Sequence, residues 1–225
     1  MFCKTGELKK IMKASLKRCG LFVCNVNDHY LVYADDWGIY VNHVFASNKF
    51  KAAIMELIGD IPEPGECYHY TIDADKGLVS QTVMDVVEPY KSWMQAKDYG
   101  AITPIHLSAW LYEYIVVQRK SDYQFITVRR SLTSDVISSK ELETASEHMP
   151  GRPSILDGKI LYFKNESTIY WVHTEPCGRK VREVLFPLLN GISFFDPEWK
   201  REELDASNEL EDDKMDEVSN EELNF

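Results

Sequence analysis

The residues whose spacing most invites chemistry are Asp35 and Asp36, adjacent carboxylates at the turn of an alternating apolar stretch. Paired carboxylates at a hairpin tip can hold Mg²⁺ for phosphoryl transfer. That chemistry needs a further carboxylate on an earlier strand, and only 34 residues precede Asp35. An Asp-rich β-turn accounts for the pair. The six histidines (His29, His43, His69, His106, His148, His173) contain no H-x-x-x-H and no grouping with cysteine at zinc spacing. The five cysteines (Cys3, Cys19, Cys24, Cys67, Cys177) are odd in number and include no C-x-x-C, and the N-terminus does not read as a signal peptide. These features predict a reducing cytoplasm. Phosphate-cradling glycine loops and nucleophile elbows are absent from the sequence. The chain therefore reads as a binding protein rather than an enzyme, with no metal and no cofactor.

A second chemistry is better supported. At about 100° per residue, Lys9, Lys10, Lys13 and Lys17 fall within roughly a third of a helix circumference, with Arg18 at its end. Leu8, Ile11, Met12 and Leu16 occupy the other side. Lys49 and Lys51 mark a second helix, and Arg179, Lys180 and Arg182 a third. Such residues suit nucleic-acid phosphates, which take many weak, sequence-independent contacts. The whole-chain charge of −11 does not oppose this. Asp196–Phe225 holds thirteen Asp/Glu against Lys200, Arg201 and Lys214, which leaves residues 1–195 with 22 basic and 23 acidic side chains. A clustered basic face can dominate the field of that nearly neutral body.

The elements that carry these residues follow from periodicity. A helix over Thr5–Arg18, capped by Thr5, leads to strands at Leu21–Val26, Tyr30–Ala34 and Ile39–Phe45. Asn48 caps a helix over Lys49–Ile58, which Gly59 and the prolines at 62 and 64 stop. Strands at Cys67–Ile72 and Leu78–Val87 precede a connector over Glu88–Thr103. Leu107–Tyr114 reads as a short helix, and Ile115–Lys120 with Tyr123–Arg130 as a hairpin. Helix is predicted again over Ser139–Met149, strands at Lys159–Lys164 and Thr168–Thr174, a basic helix around Arg179–Leu189 and a last strand at Ile192–Phe195. No apolar run approaches the ~20 residues of a membrane-spanning helix. The fold class is α+β: two similar lobes of antiparallel sheet with helices on one face, spanning 1–99 and 100–195, then a flexible acidic tail over 196–225.

An internal repeat underlies the two lobes. Tyr30–His43 superposes without a gap on Ile160–His173, 130 residues on, matching Leu31 with Leu161, Tyr33 with Phe163, Ile39-Tyr40 with Ile169-Tyr170 and His43 with His173. Upstream, Glu7-Leu8 matches Glu141-Leu142 at an offset of 134, so helix–hairpin–helix occurs twice.

Phe2-Cys3, the helix containing Glu7-Leu8-Lys9-Lys10-Ile11-Met12, the strand Leu21–Val26, and Tyr30–Ala34 turning at Asp35-Asp36 into Ile39–Phe45 together resemble the opening β-α-β-β-β unit of DNA sliding clamps of the proliferating cell nuclear antigen type. In that family similar domains close into a ring whose lysine-bearing helices line the hole. The resemblance implies a DNA polymerase processivity factor, with duplex DNA, a polymerase and a clamp loader as partners. With two domains per chain it also implies a homotrimer. Tyr33-Ala34-Asp35-Asp36 is similar to the metal-binding tetrapeptide of reverse transcriptases, but without the rest of that palm. Two further classes are open to the sequence. The close of the tail, Glu221-Glu222-Leu223-Asn224-Phe225, resembles the ends of single-stranded DNA-binding replication proteins, and the acidity suits a phage inhibitor or DNA mimic.

Overall fold

The structure, a computed structural model, describes residues 1–109, 111–138, 142 and 147–195. The predicted helix over Ser139–Met149 and the tail over 196–225 lie mostly or wholly outside the described residues; within the former, residues 147–149 are not helical. Residues 1–190 form one compact unit, and Gly191–Phe225 is a separate one. No helix of the described residues is long and apolar enough to cross a membrane.

The first helix, α1 (Thr5–Arg18), buries Leu8, Met12 and Leu16 at the predicted spacing. Lys4 rather than Thr5 occupies its N-cap position, without a side-chain cap, because Thr5 is itself buried in the first turn. Gly20, at φ +92°, turns the chain out of the helix and into β1 (Leu21–Val26), a conformation that side chains rarely adopt. A meander follows through β2 (His29–Tyr33) and β3 (Trp37–Asn42), shorter than predicted because residues 43–45 form a 3₁₀ turn. In α2 (Asn48–Ile58) the cap is Ser47, whose hydroxyl accepts from the Phe50 N–H, and not Asn48.

Strands β4 (Cys67–Asp73) and β5 (Gly77–Thr82) form the next hairpin. The predicted connector instead contains α3 (Pro89–Gln95) and the start of β6 (Asp98–Ala109). The helix predicted over Leu107–Tyr114 is overturned: residues 107–109 belong to β6 and residues 112–114 to β7 (Tyr112–Arg119), which pair antiparallel. Apolar residues there alternate along strands and do not form a helical stripe. After β8 (Phe125–Arg129) come β9 (Ser154–Leu156), β10 (Ile160–Lys164) and β11 (Thr168–His173), then helical turns at Val181–Leu185 and Phe186–Leu188. Residues 192–195 form no strand.

Among the described residues eleven strands join one antiparallel sheet in the order β5-β4-β1-β2-β3-β11-β10-β9-β6-β7-β8. The repeat legible in the sequence lies at its centre. The meanders β1-β2-β3 and β9-β10-β11 meet edge to edge, with Tyr40 opposite Ile169 and Ile39 opposite Tyr170. A second contact between equivalent positions occurs where Cys3 bridges Ile137, 134 residues apart. Equivalent segments pairing with each other in both places is the signature of a local two-fold axis. The two halves are thus parts of one unit, and the boundary expected between 99 and 100 falls inside β6.

One core lies between the sheet and α1 with α2, built on Leu8, Met12, Trp37, Ile39, Phe50, Ile54 and Tyr170. A second core on the other face packs Leu31, Ile169 and Trp171 against Trp93 of α3. Helices therefore cover both faces, not one. At the seam Gly38 is a steric requirement, since a Cβ there would lie 2.1 Å from Cζ2 of Trp171.

Candidate nucleic-acid interface

The basic residues of α1 and α2 share one side of the sheet, because both helices bury their apolar faces in the same core. On α1, Lys10, Lys13, Lys17 and Arg18 are exposed and Lys9 is half-buried. Several are already paired: Lys9 with Glu56 of α2, Lys10 with Glu7 at 2.7 Å, and Arg18 with Asp36 at 2.8 Å. Lys13 and Lys17 make no ion pair among the described residues. They are the two cations of the stripe most available to an external phosphate. On α2, Lys49 is exposed, while the Lys51 ammonium lies 5.7 Å from the centre of the Tyr30 ring, which itself packs on His43 at 4.2 Å.

The third group is placed elsewhere. Arg179, Lys180 and Arg182 are exposed at the start of the helical turns after β11, with Arg179 paired to Glu183 at 2.7 Å. Those turns pack on β8, where Phe186 meets Phe125 with ring centres 5.5 Å apart. In the register Phe125 shares a side with Gln118, whereas Val117 and Ile126 point into the core beneath α1 and α2. The structure therefore joins the lysines of α1 and α2 into one surface and leaves the arginine-rich turns off it.

Asp35 and Asp36, the candidate metal pair, have separate environments. Asp35 is exposed, while Oδ2 of Asp36 accepts from both Arg18 and Arg129, at 2.8 Å each. Arg129 also bonds Glu175 at 2.6 Å, so the network ties α1, the β2–β3 turn, β8 and the segment after β11 together. The Asp36 hydrogen bond raises the Arg18 guanidinium above its usual range; burial works against the charge of Arg129, but Glu175 and Asp36 outweigh it. Asp36 is thus committed to a structural ion-pair network. Sequence reasoning missed Arg129 and Glu175, 46 residues apart, because no local spacing links them. It also missed the Cys24–Cys67 disulfide, which joins directly opposed residues of β1 and β4. Cys3, Cys19 and Cys177 are free.

Fold and surface together define an α+β protein with a large antiparallel sheet, an internal two-fold repeat and lysine-bearing helices on one face. Among solved structures the chain is similar to a crystal structure from Eubacterium rectale described as a DNA polymerase III beta subunit, at 11% identity and a TM-score of 0.31, covering 81% of this chain and 66% of that one. A likeness at this score carries no argument about mechanism. No family model matches the chain, and no curated protein does.

Proposed function

We propose that this protein is a DNA sliding clamp, a polymerase processivity factor that holds duplex DNA through the helix face formed by α1 and α2. The observation that carries this reading is the β-α-β-β-β unit itself. Its opening bridge at Cys3, α1 and the β1–β3 meander have the order the sequence resemblance implies, and a related meander meets them across a local two-fold. A sliding protein needs phosphate contacts that are numerous, individually weak and indifferent to base sequence, and exposed Lys10, Lys13, Lys17 and Lys49 meet that need. A DNA polymerase and a clamp loader are the partners this function implies. A homotrimer is the assembly that this reading implies.

The test is topological. Protein loaded on closed circular duplex should be retained through gel filtration at moderate salt and released when a restriction enzyme linearises the circle. Equal retention on circular and linear DNA would remove the clamp reading and leave ordinary non-specific binding.

A further inference from the structure

Three cations of the α1 stripe face a carboxylate of the same molecule: Lys9 pairs with Glu56 of α2, Lys10 with Glu7, and Arg18 with Asp36. The three pairs differ in setting. Asp36 is 13% exposed and belongs to the network with Arg129 and Glu175, so its role is in the fold. Glu56 and Glu7 have no such commitment. The Glu56 side chain is 59% exposed and that of Glu7 34%.

Glu7 and Lys10 are three residues apart on one helix, an ordinary local pair. Glu56 instead reaches Lys9 from another helix. It follows Lys49 by seven residues, which puts it within about 20° of that lysine around α2. A carboxylate therefore stands among the lysines of the α1–α2 surface. An exposed pair of this kind adds little to stability, because both ends stay hydrated and are screened by salt. It changes the terms on which Lys9 can take a phosphate. A free lysine that meets a phosphate releases a condensed counterion and keeps the whole attraction. A paired lysine must first leave its carboxylate, which then stands beside the phosphate and repels it. Uptake of a salt cation by that freed carboxylate also offsets part of the counterion release.

We infer that Glu56, with Glu7, is an internal competitor for duplex phosphates. The two carboxylates hold Lys9 and Lys10 in exchangeable pairs, so that the surface grips through Lys13, Lys17 and Lys49 and lets go readily. This rests on the duplex-binding reading of the α1–α2 surface and adds acidic residues to it. Movement along a duplex requires each contact to break as the next one forms, and competing carboxylates lower the cost of breaking. Stationary binding would gain from their removal.

The test uses the full chain and a mixed-sequence duplex, titrated by fluorescence anisotropy across a range of KCl concentrations. Glu56→Gln keeps the size of an exposed side chain, so the melting temperature should stay near the parent's. One more full-strength phosphate contact should steepen the slope of log affinity against log salt by about 0.9 and tighten binding about three- to tenfold near ~0.1 M salt. Glu183→Gln is the control. It removes the same charge from a pair of the same kind, with Arg179 at 2.7 Å, away from this surface, and should shift affinity less than about twofold. The gain from Glu56→Gln should vanish in a Lys9→Ala background, the coupling that a double-mutant cycle isolates. On stretched DNA the Glu56→Gln protein should diffuse more slowly than the parent. Parental affinity and slope in Glu56→Gln, an equal gain in Glu183→Gln, a gain that survives Lys9→Ala, or undiminished diffusion would each overturn the inference. Retention on circular against linear duplex, measured on the same preparations, judges the clamp separately: binding without that difference removes the clamp and leaves the competition standing.

Discussion

Arg18, in the last turn of α1, donates to the same Asp36 oxygen that Arg129 reaches from β8, so one carboxylate at the β2–β3 turn anchors the basic helix to the far side of the sheet. Asp36→Ala leaves Arg129, which is 13% exposed, with Glu175 alone. The expected cost is about 1–3 kcal/mol, below that of a fully buried pair because Arg18 is half exposed. Urea denaturation should show it as a lower midpoint with an unchanged slope. A loss below ~0.5 kcal/mol would place Asp36 among ordinary surface carboxylates.

Lys13 and Lys17 should matter to DNA and not to folding. Replacing both with alanine should leave the melting temperature within a degree or two and reduce the slope of log affinity against log salt by about one to two units, equally for unrelated sequences. Replacing Arg179, Lys180 and Arg182 should change the slope less, since those residues lie off the α1–α2 surface. Equal effects from the two sets would remove the interface assigned here.

Gly38→Ala forces a methyl group into the Trp171 indole at the seam between the repeats. Overpacking of this kind costs about 1–3 kcal/mol, and the near-ultraviolet spectrum of tryptophan should change with it. The same substitution at Gly151, where a Cβ meets nothing within 4 Å, is the control and should be neutral.

Asp98 gives a pH signature. Burial opposes its charge, but the Ser121 hydroxyl, Arg119 and two backbone N–H groups outweigh that and hold its pKa below the usual aspartate value. A carboxylate depressed in the folded state contributes stability above its unfolded pKa of about 3.9, and that contribution disappears as pH falls through the folded pKa. Asp98→Asn should therefore be less stable than the parent at neutral pH and converge with it in the acid range. Parallel stability curves from pH 7 to pH 2 would contradict the assignment.

Reduction of Cys24–Cys67 opens a link across a sequence separation of 43. The expected loss is about 2–4 kcal/mol, measured by denaturation with and without dithiothreitol and matched to two additional titratable thiols.

Much of this architecture was legible before any coordinates, and the reasons are local. The stripe of Leu8, Met12 and Leu16 decides α1, and the alternation of Tyr30–His43 and Ile160–His173 decides both hairpins, because each pattern is complete within a dozen residues. The failures share the opposite property. Leu107–Tyr114 has enough apolar residues for either period, and only the partner strand selects one. Ser47 and Asn48 are both good caps, and the backbone geometry chooses between them. The repeat was visible as a repeat, but not that its halves abut within one unit, since nothing in a sequence offset specifies which edges pair. On the candidate surface the stripe was readable, whereas the pairing of Lys9 with Glu56 depends on how α1 packs on α2.

The pairing of β3 with β11 also sets an order of events during synthesis. Residues 37–42 emerge from the ribosome early, but their second neighbour, residues 168–173, is translated only after well over a hundred more have been added. Until then β3 has one side open, and α1 covers a core that lacks Tyr170 and Val172. Such long-range closure slows folding and prolongs the exposure of an unpaired strand. The nascent N-terminal half is therefore the stage at which this chain most needs a chaperone, and ribosome stalling before residue 168 should yield a protease-sensitive product.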